Sequence, residues 1–87
     1  MIEIIYSKNF LKSVKKLPAN QQEKLADLLI LMQKNPYHYT LHTKRLGVPL
    51  IGFLSFRITR DWRVLFQFIN ATTIQLSHIA HRKDIYR

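Results

Sequence analysis

The sequence predicts an α+β fold, in which an N-terminal strand and an antiparallel helical hairpin pack on one face of a small, mostly antiparallel β-sheet. Two observations predict it. The first 34 residues contain a β-branched stretch followed by two stretches with helical spacing of apolar residues, and residues 50–79 contain three β-rich stretches separated by short polar turns. A chain of 87 residues has room for one hydrophobic core, so we expect residues 1–87 to form a single domain.

The first strand and the first helix are predicted from residue type and spacing. Residues 2–6 are rich in β-branched and aromatic side chains and are too few for a helix, so they predict a strand ending near Ser7. Ser7 or Asn9 can cap the helix that follows, and Pro18 ends it. Its apolar stripe is expected to contain Phe10, Leu11, Val14 and Leu17. Its other face carries Lys8, Lys12, Lys15 and Lys16.

A second helix is predicted from Asn20 to about Asn35, where Pro36 stops it. Asn20 followed by Glu23 resembles a capping box. One side of this helix carries Leu25, Leu28, Leu29 and Met32. Its apolar surface is widened by Ala26, Ile30 and Leu31. We therefore expect it to lie deeper in the protein than the first helix.

Three strands are predicted after an aperiodic loop at residues 35–49, which contains two prolines and a glycine. The strands span residues 50–58, 62–69 and 73–79, and they form an antiparallel meander. In the middle strand, alternation places Arg63 and Leu65 on one face. The other face carries Trp62, Val64, Phe66 and Phe68. That apolar face is expected to lie under the helices, with Arg63 directed away from them.

Charge and composition indicate the partners. The net charge is +9, and the excess is +3 over residues 1–43 and +6 over residues 44–87. A basic field of this size attracts polyanions, so nucleic acid is the first candidate partner, with an acidic protein or merely a solvated basic surface as alternatives. The absence of cysteine excludes disulfides and thiolate metal sites and favours the cytoplasm. No apolar run is long enough for a membrane span, and the N-terminus lacks a secretion signal.

The first candidate site is a pair of arginines. Arg57 and Arg63 lie near facing ends of one predicted hairpin, so their guanidinium groups can reach one region of space. Guanidinium stays charged and binds phosphate oxygens in bidentate fashion, which makes the pair a candidate phosphate clamp. The alternative is two solvent-facing strand arginines that discourage edge pairing.

The C-terminal residues have the chemistry that RNA hydrolysis needs. Cleavage by a neighbouring 2′-hydroxyl requires a base, an acid and cations around phosphorus, without metal or cofactor. His81 can carry a proton near neutral pH, Arg82 adds charge, and Tyr86 can stack on a base or donate a proton. His42, near two basic residues, is a candidate for lining the substrate groove, whereas a metal pair with His38 and a role for His78 beyond structure are not expected.

The whole chain resembles the RelE/ParE superfamily of toxins from toxin–antitoxin pairs. The resemblance rests on residues 46–47, 52–58, 61–66 and 81–86, which together give an Arg-Ile, Asp-aromatic-Arg-Val and His-Arg…Tyr pattern. It implies a RelE-like fold and a ribosome-dependent endoribonuclease that cuts mRNA in the decoding site and leaves a 2′,3′-cyclic phosphate. It also implies three partners, namely the ribosome, mRNA and a tightly bound cognate antitoxin that holds the toxin inactive.

Roles carry over by matching positions. Arg63 matches the arginine that stabilises the transition state, and Arg57 and Arg82 match the arginines of the preceding strand and the late chain. Tyr86 matches a C-terminal tyrosine, and His81 a histidine proton carrier. The residues expected to bind RNA are Lys44, Arg45, Arg60 and Lys83.

One position departs from the family pattern. Some members have a glutamate base just before the Leu-Gly step, where this chain has Lys44, so His81 or a lysine has to act as the base. Two other functions stay open at this point. One is a ParE-like toxin that inhibits DNA gyrase and cuts nothing, and the other is a basic RNA-binding module without catalysis.

Overall fold

The computed structural model describes residues 1–85, and in that range it contains one five-stranded sheet with a helical hairpin on one face. The strands are β1 (Glu3–Tyr6), β2 (Lys44–Arg45), β3 (Leu54–Arg57), β4 (Trp62–Asn70) and β5 (Thr73–His81). The helices are α1 (Lys8–Val14), α2 (Ala19–Lys34) and α3 (Arg82–Ile85), with a 3-10 turn at Tyr39–Leu41. The sheet order is β1-β5-β4-β3-β2, and only the β1–β5 pair is parallel. The predicted α+β class is therefore confirmed.

The main core lies between the helical hairpin and one face of the sheet. Among its fully buried members are Met32 from α2, Phe56 from β3 and Phe66 from β4. Three residues of the expected apolar surfaces lie outside it, since Leu11 is 54% and Ile30 57% exposed and Ala26 is exposed as well. The reason is angular: residues at positions i, i+4 and i+7 face the sheet, and a residue one position further lies roughly 100° around the helix.

The two helices begin differently. Ser7 caps α1 as predicted, because its Oγ accepts a hydrogen bond from Phe10 N at 3.0 Å. The expected capping box at the start of α2 was wrong, since α2 begins at Ala19 after Pro18 and has no side-chain cap. Pro18 accepts the first hydrogen bonds of the helix at its carbonyl, so Asn20 is already inside the first turn.

The third strand is shorter than predicted, and the loop before it contains a strand that the sequence did not indicate. Residues 46–53 form turns, and β3 begins only at Leu54. The apolar side chains of Leu50 and Phe53 turn back over the far face of the sheet, where they pack on a second cluster. The buried members of that cluster are Leu46, Leu65 and Ile85. Residues 44–45, which were predicted to lie in the loop at 35–49, form β2 and pair with β3, so that part of the loop prediction was wrong.

β5 contains a bulge at Ser77. Leu65 of β4 pairs with His78, and the next residue, Phe66, pairs with Leu76, so one residue of β5 is left over. The bulge changes which side chains face the helices. Leu76 and Ile79, three positions apart, are both buried in the main core, and a regular strand would have placed them on opposite faces.

Helix α1 provides hydrogen-bond partners for the backbone at the bulge. Ser7 Oγ donates to the carbonyl oxygen of Ser77 at 2.7 Å, and the backbone N of Ile79 donates to Ser13 Oγ at 3.0 Å. Since buried backbone groups without a partner are costly, these two serines stabilise the bulge. The position of α1 and the register of β5 are thus coupled.

We predict that Ser13→Ala lowers the free energy of unfolding by about 1–3 kcal/mol, because it leaves the Ile79 N–H buried without its acceptor. Ser55→Ala is the matched control, since Ser55 Oγ is buried and has no hydrogen-bond partner within residues 1–85. It should leave the free energy of unfolding unchanged or raise it, because it removes a buried hydroxyl that has no acceptor or donor in that part of the chain. Urea unfolding measures both values, and equal losses in the two variants would contradict the role of Ser13.

Candidate nucleic-acid interface

A cleft of about 610 Å³ lies at one end of the sheet and is lined by cationic side chains. Its lining consists of His42, Thr43, Lys44, Arg57, Arg63 and Arg82. Four of these six residues carry a positive charge at neutral pH, and no carboxylate occurs among the lining residues that the structure describes. We call this feature the arginine cleft.

Strand pairing brings the first two arginines together. Arg57 of β3 lies directly opposite Arg63 of β4, and side chains so placed have Cβ atoms roughly 4.5–5.5 Å apart. Their neighbours Phe56 and Val64 face the helices and are fully buried, so alternation directs both arginines to the far face. Arg63 is itself buried, with 9% of its surface exposed.

The other cationic groups arrive from three further segments. Lys44 of β2 pairs with Ser55, two positions before Arg57, and therefore shares the face of the arginines. Arg82 begins α3, and its backbone N donates to the carbonyl oxygen of Asp61 at 2.7 Å, which holds α3 against the β3–β4 turn. His42 follows the 3-10 turn in a left-handed conformation with φ of 51°.

The charges of the cleft favour an anionic ligand. Arginine and lysine side chains on one concave surface repel one another, and a bound anion relieves that repulsion. The Arg57 guanidinium also has its Nε buried without a hydrogen-bond partner in the described part of the chain. A buried donor without an acceptor is unfavourable, and a phosphate oxygen supplies one.

His81 does not line the arginine cleft. It lies opposite Trp62 at the end of β5, and the two rings meet edge to face with centroids 5.3 Å apart. Its Nδ1 accepts a hydrogen bond from Lys83 N at 3.3 Å. The bulge at Ser77 is the cause, because a regular strand would have placed His81 on the face of Arg63.

The remaining candidates are distributed around the cleft. Arg45 pairs with Leu54 and so points to the other face, although it lines smaller hollows nearby. Arg60 lies in the β3–β4 turn and lines a hollow that adjoins the cleft. Lys83 is exposed on α3, and Tyr86 lies outside the described residues. The structure thus brings together four of the predicted site residues: Lys44, Arg57, Arg63 and Arg82.

Two lining residues come from the aperiodic segment before β2. His42 is placed there as the sequence suggested, whereas Thr43 was not anticipated, and no periodicity marks it. Thr43 Oγ1 donates to the carbonyl oxygen of Pro36, which fixes the end of the 3-10 turn. His78 lies on the far face opposite Leu65, and burial lowers its pKa, so its ring is uncharged at neutral pH.

Metal ligands do not cluster in residues 1–85, since no group of three or more histidine, cysteine or carboxylate residues is placed to hold an ion there. In the same part of the chain, no helix has the length and apolar character needed to cross a membrane.

We predict that inorganic phosphate stabilises the protein through the arginine cleft. At ten times its Kd it should add about 1.4 kcal/mol to the free energy of unfolding, and thermal unfolding at increasing phosphate measures the effect. Arg82→Ala should reduce the rise in Tm because it removes an exposed cation of the cleft. Lys15→Ala, a surface lysine after α1, is the control. An equal rise in wild type and Arg82→Ala would contradict binding in the cleft.

Comparison with known proteins places the whole chain among toxins. A family model described as the ParE toxin of the type II toxin–antitoxin system parDE matches residues 4–86. Among curated protein sequences, none matches the chain.

Solved structures similar to this chain are toxins as well. YafQ from E. coli strain BL21(DE3) aligns with a TM-score of 0.79 and 19% identity over 100% of both chains. The YoeB/ParE toxin from Agrobacterium tumefaciens aligns with 0.76 and 15% identity over 93% of this chain and 99% of the other. RelBE2, a toxin–antitoxin complex from Mycobacterium tuberculosis, aligns with a TM-score of 0.76 and 19% identity over 93% of this chain and 98% of the other. These likenesses show that the fold is RelE-like.

Proposed function

This chain belongs to the ParE toxin family of type II toxin–antitoxin systems, within the RelE/ParE superfamily, and from that premise we propose that it cleaves mRNA on the ribosome. The observation that carries the proposal is the arginine cleft, in which Arg57, Arg63 and Arg82 converge. A gyrase poison that cuts nothing has no need of a phosphoryl-transfer site. Three guanidinium groups around one hollow suit a phosphodiester whose charge rises during reaction.

The proposed reaction is attack of a ribose 2′-hydroxyl on the adjacent phosphorus. The bond from the 2′-oxygen to phosphorus forms, the bond to the 5′-oxygen of the next nucleotide breaks, and the products are a 2′,3′-cyclic phosphate and a free 5′-hydroxyl. Negative charge on the non-bridging oxygens is greatest in the pentacovalent transition state. The guanidinium groups of Arg57 and Arg63 stabilise that state more than the ground state, and this difference is what accelerates the reaction.

Two proton transfers accompany this reaction, and histidine suits both near neutral pH. We assign one to His42, whose side chain lines the arginine cleft beside Lys44. The other is assigned to His81, which directly precedes the cleft residue Arg82 at the end of β5. Tyr86, at the C-terminal end of the chain, is assigned to stacking on a base or to proton donation.

The remaining basic residues are assigned to binding. Arg45, Arg60 and Lys83 are exposed around the cleft, where they attract the RNA backbone. An antitoxin is the expected protein partner, since the similar RelBE2 structure is a toxin–antitoxin complex. With a net charge of +9 on this chain, that antitoxin should be acidic and should cover the cleft. Ribosomes and mRNA place the activity in the cytoplasm.

We predict that Arg63→Lys slows mRNA cleavage on programmed ribosomes by about 100-fold or more, because it keeps the charge but removes the bidentate fork. His42→Gln should slow cleavage by at least about 100-fold by removing a proton carrier. Primer extension on the cleaved mRNA measures both rates. Lys15→Ala is the control with unchanged cleavage, and thermal unfolding verifies that each variant is folded.

Full cleavage by both variants would contradict the assignments of Arg63 and His42. Retarded RNA migration without products, abolished by salt, would instead indicate a binding module without catalysis.

The match to the ParE family model favours inhibition of DNA gyrase as the second candidate function. The fold is shared by both activities, so it does not separate them. A supercoiling assay with purified gyrase does separate them. The ribonuclease proposal expects unchanged supercoiling in the presence of the wild-type protein, and dose-dependent loss of supercoiling without RNA products would replace it.

A further inference from the structure

A second hollow, of about 460 Å³, adjoins the arginine cleft. Its lining includes Lys24, Leu28, Tyr39, Ile58 and Arg60. We call it the side hollow. Because it shares His42 and Arg57 with the cleft, a ligand held in the cleft can continue directly into it.

The lining of the side hollow combines three chemical characters. Its floor is apolar, since Leu28 and Ile58 are 5% and 1% exposed. Tyr39 lies beside that floor with 82% of its surface exposed. The charged groups of Lys24 and Arg60 lie at the rim, and both residues are exposed. A flat ring with phosphate groups close to it matches this arrangement.

The ring of Tyr39 is supported from within its own turn. His38 stacks on it with ring centroids 4.7 Å apart and an angle of 26° between the planes. The ring of His38 is fixed in turn, because its Nδ1 accepts a hydrogen bond from the backbone N of Thr40 at 3.2 Å. One side of Tyr39 is therefore occupied by imidazole, and its high exposure leaves the remaining ring surface available for a second aromatic group.

We propose that the side hollow is a nucleobase-binding subsite, in which the base next to the phosphate in the arginine cleft stacks on Tyr39. Single-stranded RNA is recognised chiefly through unstacked bases that lie on aromatic side chains, with cations along the backbone. The side hollow lies within the usual volume of small-ligand sites, roughly 300–1,000 Å³. This inference rests on the proposed function, because it takes RNA as the substrate, and it makes Tyr39 a determinant of substrate preference.

The test uses a short 2′-O-methyl RNA, which cannot be cleaved, with 2-aminopurine at each position in turn. Stacking on a tyrosine quenches 2-aminopurine fluorescence. We expect one position to be quenched by the wild-type protein, and Tyr39→Ala to abolish that quenching and to weaken binding about tenfold. Tyr39→Phe should retain both, since stacking needs the ring and not the hydroxyl.

Tyr37→Ala is the matched control. Tyr37 is also exposed, at 54%, but it stacks on Phe68 and lines a different hollow, so its removal should leave RNA binding unchanged. Equal affinity and quenching for wild type and Tyr39→Ala would overturn the subsite. Because the assay measures binding alone, normal quenching by a protein that cuts no mRNA would overturn the proposed function and leave the subsite standing.

Discussion

The register between β3 and β4 determines where this protein can place positive charge. Phe56 lies opposite Val64 on the helical face, and Arg57 lies opposite Arg63 on the other. A slip of β4 by one residue would exchange its two faces, exposing the fully buried Val64 and Phe66 and driving the Arg63 guanidinium into the core. Each apolar burial is worth roughly 1.5–3 kcal/mol, so packing of the core fixes the arginine cleft.

The bulge at Ser77 extends that constraint to β5. It lets Ile79 join the core, and it turns His81 towards Trp62 and away from the arginines. Ser13 of α1 and the capping residue Ser7 bind the backbone beside the bulge, so the helical hairpin takes part in setting the far face of the sheet. The serines that bind the bulge and the arginines of the cleft lie on opposite faces of the sheet. β5 links them, because it contains the bulge and is followed directly by Arg82 of the cleft.

Much of this arrangement follows from the sequence, for a physical reason in each case. Alternation in β4 correctly assigns Val64 to the core and Arg63 to the far face, since a half-buried strand has a period of two. The facing of Arg57 and Arg63 follows from the short turn between their strands. The helical hairpin follows from the spacing of apolar residues, although Leu11, which was assigned to the apolar stripe of the first helix, is exposed.

Other features leave little or no signal in a single sequence. β2 has two residues, which are too few to show a periodic pattern. Residues 50–53 are apolar because they cover the far face of the sheet, and this composition resembles that of a strand. The bulge does leave a signal in the sequence, because the apolar residues Leu76 and Ile79 are three positions apart. If both face the core, His81 lies on the same face as Ile79, which is where the structure has it. The nearness of His42 to the arginines depends on a left-handed turn that no periodicity predicts.

In the proposed function, Arg57 and Arg63 bind the phosphate group of the RNA that is cleaved. A crystal structure with a 2′-O-methyl RNA dinucleotide tests this role, because the RNA cannot be cleaved and its phosphate can be located. We expect a non-bridging phosphate oxygen about 2.7–3.2 Å from a guanidinium nitrogen of each arginine. A phosphate bound on the lysines of α1, with the arginine cleft unoccupied at saturating dinucleotide, would exclude this role for Arg57 and Arg63.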